Sequence, residues 1–237
     1  SGEHSIWKRH WWRFWHYPDS PRFPVTVRLP DGTERDIPCD PLPKHFDRQI
    51  QSWDLAFGKT ATSSKVAGAV WGQVGSSMYW LHVRAERMTF TESVQAIVDM
   101  SANWPLTSKK LIEAKANGQA AEDLLRSKIP GLELVEPRGG KAARAGVASD
   151  YLEAGNCWLP HPSLCPWIVD FLDFMDTWTG ENDEDTDILD TASQAIIWLA
   201  TRANRTGDTF ELTDVSPWRA RASQPGDFDE GKSFRRR

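Results

Sequence analysis

Long apolar runs are missing from this chain. Nowhere in its 237 residues does a continuous apolar stretch approach the roughly 20 needed to span a bilayer. The N-terminus, SGEHSIWKRHWW, lacks the apolar core and small-residue cleavage site of a secretory signal. Neither a membrane-bound nor an exported protein is therefore expected. Cysteine is scarce. Cys39, Cys157 and Cys165 are odd in number and form no CxxC pair. That argues against a disulfide scaffold and a thiolate zinc site, and it fits a reducing compartment. Nucleotide-motor and common hydrolase signatures are absent too. GKT at 58–60 is no phosphate loop, because the first glycine of GxxxxGK would fall on Trp53. There is no HExxH, no GxSxG and no Cys–His signature, and His10, His16, His45, His82 and His161 show no ligand spacing.

What is present belongs to a globular protein. Hydrophobic residues make up 40% and charged residues 26%, enough for one large domain or two small ones with a real core. The formal net charge is −5, so the whole molecule is no general attractor of nucleic acid. Charge is unevenly placed, however. ENDEDTDILD at 181–190 carries six acids and no base, whereas RGGKAAR at 138–144 and Arg235–Arg237 are basic. A local basic surface binds phosphate whatever the net charge. Of thirteen tryptophans, four sit at positions 7, 11, 12 and 15. They could stack on bases, but packing of an amphipathic N-terminal segment onto the domain or a neighbour is the better reading.

Organisation changes near residue 46. Residues 1–45 hold seven prolines and read as an arm or linker, with a hairpin signal at Asp31-Gly32. RQIQSWDLA, VAGAVWGQV and SMYWLHVRAERM then read as three strands, the last two joined at Gly75-Ser76-Ser77. TESVQAIVDMSANW is helical by its apolar spacing and ends at Pro105. KKLIEA, a helix over 118–128, GLELVEP, a helix over 141–154, CWLP, a helix over 166–178 and a long helix containing ILDTASQAIIWLATRAN follow. Residues 207–237 are expected to be a flexible tail. There are no internal repeats. Three adjacent strands followed by alternating strand and helix imply an α/β fold with a mixed central sheet flanked by helices.

Carboxylates close several of these elements. Asp54 ends the first strand of the meander, Glu113 ends KKLIE, and Asp187 and Asp190 lie on the last helix. Singly, each is more often a loop cap or a solvated helix start. If the strands are neighbours and the helix packs beside their ends, the acids converge, and converging hard oxygen donors suit Mg²⁺ or Mn²⁺. Two such ions roughly 4 Å apart could hold a phosphodiester, activate water and stabilise the leaving oxygen. A calcium loop starting at Asp183 fails, because Ile188 and Gln194 fall where Gly and Glu are required. Gly139 and Gly140 leave the backbone open to a ligand, and Arg138, Lys141 and Arg144 present cations, the last two on one helical face. Lys59 and Lys65 are weaker candidates of the same kind.

The order of the segments FDRQIQSWDLAF, LIEAKANGQAAEDLL, IPGLELVEPRGGKAARAGVASDYLEAGNCWLP and DTDILDTASQAIIWL resembles the nuclease domain of the large terminase subunit of tailed double-stranded DNA phages. The third segment is the most specific, through its Lys-x-x-Arg, Glu-Ala-Gly and Leu-Pro. IWKRHWWRFW resembles the stretch that precedes the nuclease in full-length terminases.

The resemblance implies a ribonuclease H-like fold (integrase superfamily) over 46–206, following an ATPase domain that is absent from this chain. It implies a Mg²⁺- or Mn²⁺-dependent endonuclease with a two-ion site, cleaving concatemeric viral DNA during genome packaging. Asp54, Glu113 and Asp187 are then the catalytic metal ligands, with Asp190 as an additional or fallback ligand and Asp183 one turn earlier. Arg138, Lys141, Arg144 and Lys59 contact DNA. The family's third motif begins with two adjacent acids, and here the first of them is Thr186. Double-stranded DNA, the portal and the small terminase subunit are the implied partners, with no membrane, in the host cytoplasm at the viral procapsid. The alternatives are another nuclease of this fold, such as a resolvase or an RNA–DNA hybrid nuclease, or a non-catalytic module docking on portal or motor.

Overall fold

The computed structural model describes residues 5–55, 64–114, 116–181 and 186–202. The expected tail over 207–237, Lys59 and Asp183 lie outside the described residues. Four short strands come first: β1 (Arg13–His16), β2 (Val25–Arg28), β3 (Glu34–Ile37) and β4 (Cys39–Pro41). The expected meander follows as β5 (Arg48–Asp54), β6 (Ser64–Val74) and β7 (Ser77–Met88). Helix and strand then alternate through α1 (Phe90–Asn103), β8 (Lys109–Glu113), α2 (Ala116–Leu125), β9 (Leu132–Val135), α3 (Lys141–Glu153) and β10 (Cys157–Pro160). The described chain closes with α4 (Trp167–Met175) and α5 (Asp187–Arg202).

Eight of the strands form one sheet in the order β4-β1-β10-β7-β6-β5-β8-β9, and β2 pairs with β3 as a separate hairpin. Within the sheet β6 alone runs against its neighbours, and every other pairing is parallel. Seven strands therefore end at the same edge. Sheets built this way are covered on both faces, and β5 accordingly carries buried residues along almost its whole length. One face packs against α3, α4 and α5 through Ala148, Phe171 and Ile196. The opposite face packs against α1 and α2 through Ile97, Met100 and Leu125. All three cysteines are free. No described helix is long and apolar enough to cross a membrane.

The N-terminal stretch expected as an arm does more than link. β1 inserts between β4 and β10 and extends the sheet by two strands. Trp7, Trp12, Phe14 and Trp15 are almost completely buried. Trp7 Nε1 donates to the Ala145 carbonyl at 2.8 Å, and Trp15 Nε1 donates to the Trp80 carbonyl at 3.0 Å. These tryptophans thus pack on this domain. The prolines concealed the strands because the strands are only three or four residues long. Pro41 sits in β4, at the sheet edge, where a missing N–H breaks no ladder.

Candidate active site

The pairing of β5 with β8 places the two strand-end acids. Ser52 is in register with Leu111 and Trp53 with Ile112, so Asp54 and Glu113 stand abreast at the edge where these strands end. They occupy the same face as Ser52 and Leu111, the face covered by α5. Ser52 Oγ donates to the Thr191 carbonyl at 2.8 Å, and Gln194 Nε2 donates to Ser52 Oγ at 2.9 Å. These bonds lay the first turns of α5 across β5, one pleat below Asp54. Three of the four expected carboxylates are deeply buried: Asp54 is 3% exposed, Glu113 8% and Asp190 5%. Burial of that many acids requires compensating positive charge.

Part of that charge comes from the start of α3. Arg144 Nη2 donates to Asp190 Oδ1 at 2.6 Å and lies 4.0 Å from Glu113 Oε1. Lys141 Nζ lies 3.1 Å from Asp190 Oδ2 and donates to Thr186 Oγ1 at 2.5 Å. One guanidinium therefore bridges acids from β8 and α5, and both cations close on Asp190. Asp187, the first residue of α5, is half-buried and carries neither of these contacts. Burial pushes its carboxyl above the ordinary range; Lys141 and Lys65 pull it back, and the Asp190 charge adds to the rise.

The sequence-derived candidates thus separate. Asp54, Glu113, Asp187, Asp190, Lys141 and Arg144 gather at one place. Lys65, a weaker candidate, stands on the same face of the sheet, one pleat beyond Ala67, which is in register with Asp54. Arg138 is exposed in the loop before α3 and makes no ion pair or hydrogen bond to these acids among the described residues. Ser52 and Gln194, which seat α5, escaped notice because nothing local marks a serine in a buried strand as a helix anchor. The donor set is all carboxylate oxygen, the chemistry of a hard divalent ion. As placed, no three His, Cys, Asp or Glu side chains among the described residues are grouped tightly enough to hold one ion.

A five-strand core in the order β7-β6-β5-β8-β9, with β6 reversed and acids at the ends of β5 and β8, defines a ribonuclease H-like domain. More narrowly, the chain belongs to the terminase RNaseH-like domain family, whose model matches residues 51–219. Among solved structures it is similar to the large terminase of a thermophilic bacteriophage, with TM-score 0.50 and 12% identity over 67% of this chain and 41% of that one. It is also similar to the g2p large terminase nuclease domain of bacteriophage SPP1 with bound Mn, at 0.47 and 13% over 65% and 87%. The large terminase nuclease of thermophilic phage G20c gives 0.47 and 12% over 80% and 96%. At these identities the likeness concerns the fold. This chain spans about two fifths of the first of these terminases, at 41% of its length. No curated protein is similar enough in sequence to count as a match.

Proposed function

We propose that this domain is a divalent-ion-dependent endonuclease that cuts concatemeric double-stranded DNA during viral genome packaging. The observation that carries the proposal is the placement of Asp54 and Glu113 side by side at the ends of β5 and β8, beneath the acidic first turn of α5. In this reading Asp54, Glu113 and Asp187 hold the metal. Asp190 anchors α3 through its ion pairs with Arg144 and Lys141, and its buried Oδ2, which accepts no hydrogen bond, keeps it as the additional ligand. Burial, with the Asp190 charge beside it, holds the Asp187 carboxyl above its ordinary range, a penalty that a bound dication would relieve. When bound, a pair of Mg²⁺ or Mn²⁺ ions would neutralise the phosphoryl oxygens, lower the pKa of water to yield hydroxide and stabilise the leaving oxygen.

The residues around the acids do the rest. Arg144 and Lys141 are held by Asp190 in fixed positions at the edge of the cluster, so they meet a phosphate without reordering long side chains. Phosphate contacts carry no base information, so binding is largely indifferent to sequence. In a full-length terminase the portal and the small subunit would be the protein partners, with the work done in the host cytoplasm at the procapsid.

Plasmid nicking with Mg²⁺ or Mn²⁺ tests the assignment. Wild-type protein should nick and linearise supercoiled DNA, and chelation by EDTA should abolish this. Asp54→Ala and Glu113→Ala should be inactive while folded. Full activity in Asp54→Ala would reject the site. A preference for four-way junctions or RNA–DNA hybrids would move the assignment to another nuclease of the same fold. No metal-dependent thermal shift would favour a docking module.

A further inference from the structure

Lys141 and Arg144 lie on the α3 side of the acids. Across the cluster, β6 and β7 continue past the end of β5. Asp54 is in register with Ala67, and Ala67 with Ala85, so one level of the sheet reads Ala85, Ala67, Asp54, Glu113. One pleat further out, Lys65 is in register with Arg87. Both are exposed. Both share the α5 face, because β6 and β7 present Ala69 and Val83 to the α5-side core on the same alternation. Arg87 has no ion pair or hydrogen bond among the described residues, whereas Arg84 on the other face is matched by Glu86 at 2.5 Å.

A backbone irregularity brings this about. Near the turn, Val74 pairs with Ser77 and Trp71 with Trp80, but Val70 pairs with His82. The register shift leaves Leu81 as an extra residue in β7. Without it, Lys65 would face Glu86, and Arg87 would project from the α1 face. The bulge exchanges an acid for a base at the rim of the site, the kind of re-aiming that bulges perform.

We infer that Lys65 and Arg87 form a second phosphate-contacting rim, so that the strand to be cut approaches Asp54 and Glu113 from the β7 side of the sheet edge. Two strand spacings set Arg87 about 10 Å to the side of Asp54, and one pleat sets it about 7 Å further out. Neighbouring phosphates of the same strand lie within that reach of an arginine side chain. The inference rests on the nuclease reading above and adds the direction of the substrate strand.

Duplex binding by the full 237-residue chain, measured by anisotropy across a salt series with Ca²⁺ in place of the catalytic ion, tests it. Lys65→Ala and Arg87→Ala should each weaken binding regardless of sequence and lower the slope of log K against log salt by about one. Arg87→Lys should restore the slope. Arg35→Ala, on the β2–β3 hairpin, should leave it unchanged. Unchanged slopes in both alanine variants, while Arg144→Ala lowers it, would overturn the rim and leave the nuclease reading standing. No duplex binding by wild-type protein even at low salt would overturn both.

Discussion

Asp190 shows how a carboxylate inside a candidate metal cluster can serve the scaffold. It is 5% exposed and holds both Arg144, at 2.6 Å, and Lys141, at 3.1 Å. Removing it leaves two cations facing each other across a nearly dry space. Asp190→Ala should therefore cost about 3–5 kcal/mol in urea unfolding, the range for breaking a buried ion pair from one side. The loss should be well above that for exposed acids. Glycine matters at one neighbouring position for a steric reason. A Cβ on Gly118 would overlap the backbone oxygen of Glu113. Gly118→Ala should force α2 away from the end of β8, lower stability by about 1–3 kcal/mol and reduce nicking by displacing Glu113. Retained stability with full nicking would show that α2 shifts freely.

The elements owe their limits to local chemistry that can be tested separately. α1 begins with a capping box: the Glu92 amide donates to Thr89 Oγ1 at 3.3 Å, and the Thr89 amide donates to Glu92 Oε2 at 2.7 Å. Thr89→Ala should cost about 1 kcal/mol in denaturant unfolding. These bonds, first the Thr89 amide, hold the Glu92 carboxyl below its usual range. A depressed carboxyl stabilises the fold above its unfolded pKa, and the benefit is lost as pH falls through the folded one. The gap between wild type and Glu92→Ala should therefore narrow in acid. At the start of α5 the acids serve a second purpose. Asp187 lies at the helix N-terminus, where the backbone dipole favours negative charge even as burial opposes it.

For the whole molecule, the main consequence is that the domain begins earlier than its proline-rich start suggests. Trp12 is fully buried and meets Trp7 and Phe171 edge-on at 5.8 and 5.9 Å. Trp12→Ala should cost about 3–5 kcal/mol. A chain started at residue 46 would lose β1 and β4, expose the edge of β10 and open the cavity that Trp7, Trp12 and Phe14 fill. It should aggregate or bind a hydrophobic dye, read by size-exclusion chromatography and dye fluorescence, whereas the 237-residue chain should elute as a compact species. Equal behaviour of the two would place the N-terminal strands outside the cooperative unit.

Local pattern was enough to mark the alternation of strand and helix from β5 onward, because periodicity and capping are read over a few neighbouring residues. It also singled out Asp54, Glu113, Lys141 and Arg144 as candidates, although each taken alone reads as an ordinary loop cap or helix start. Pairing is not local. Only the sheet showed that β5 and β8 are neighbours, that Phe14 and Trp15 lie in its interior, and that Asp190 is claimed by two cations while Asp187 is not. The face of Arg87 depends on one extra residue at Leu81. Side chains alternate with a period of two, so a single inserted residue reverses every side chain beyond it, and nothing in the amino-acid order announces the insertion.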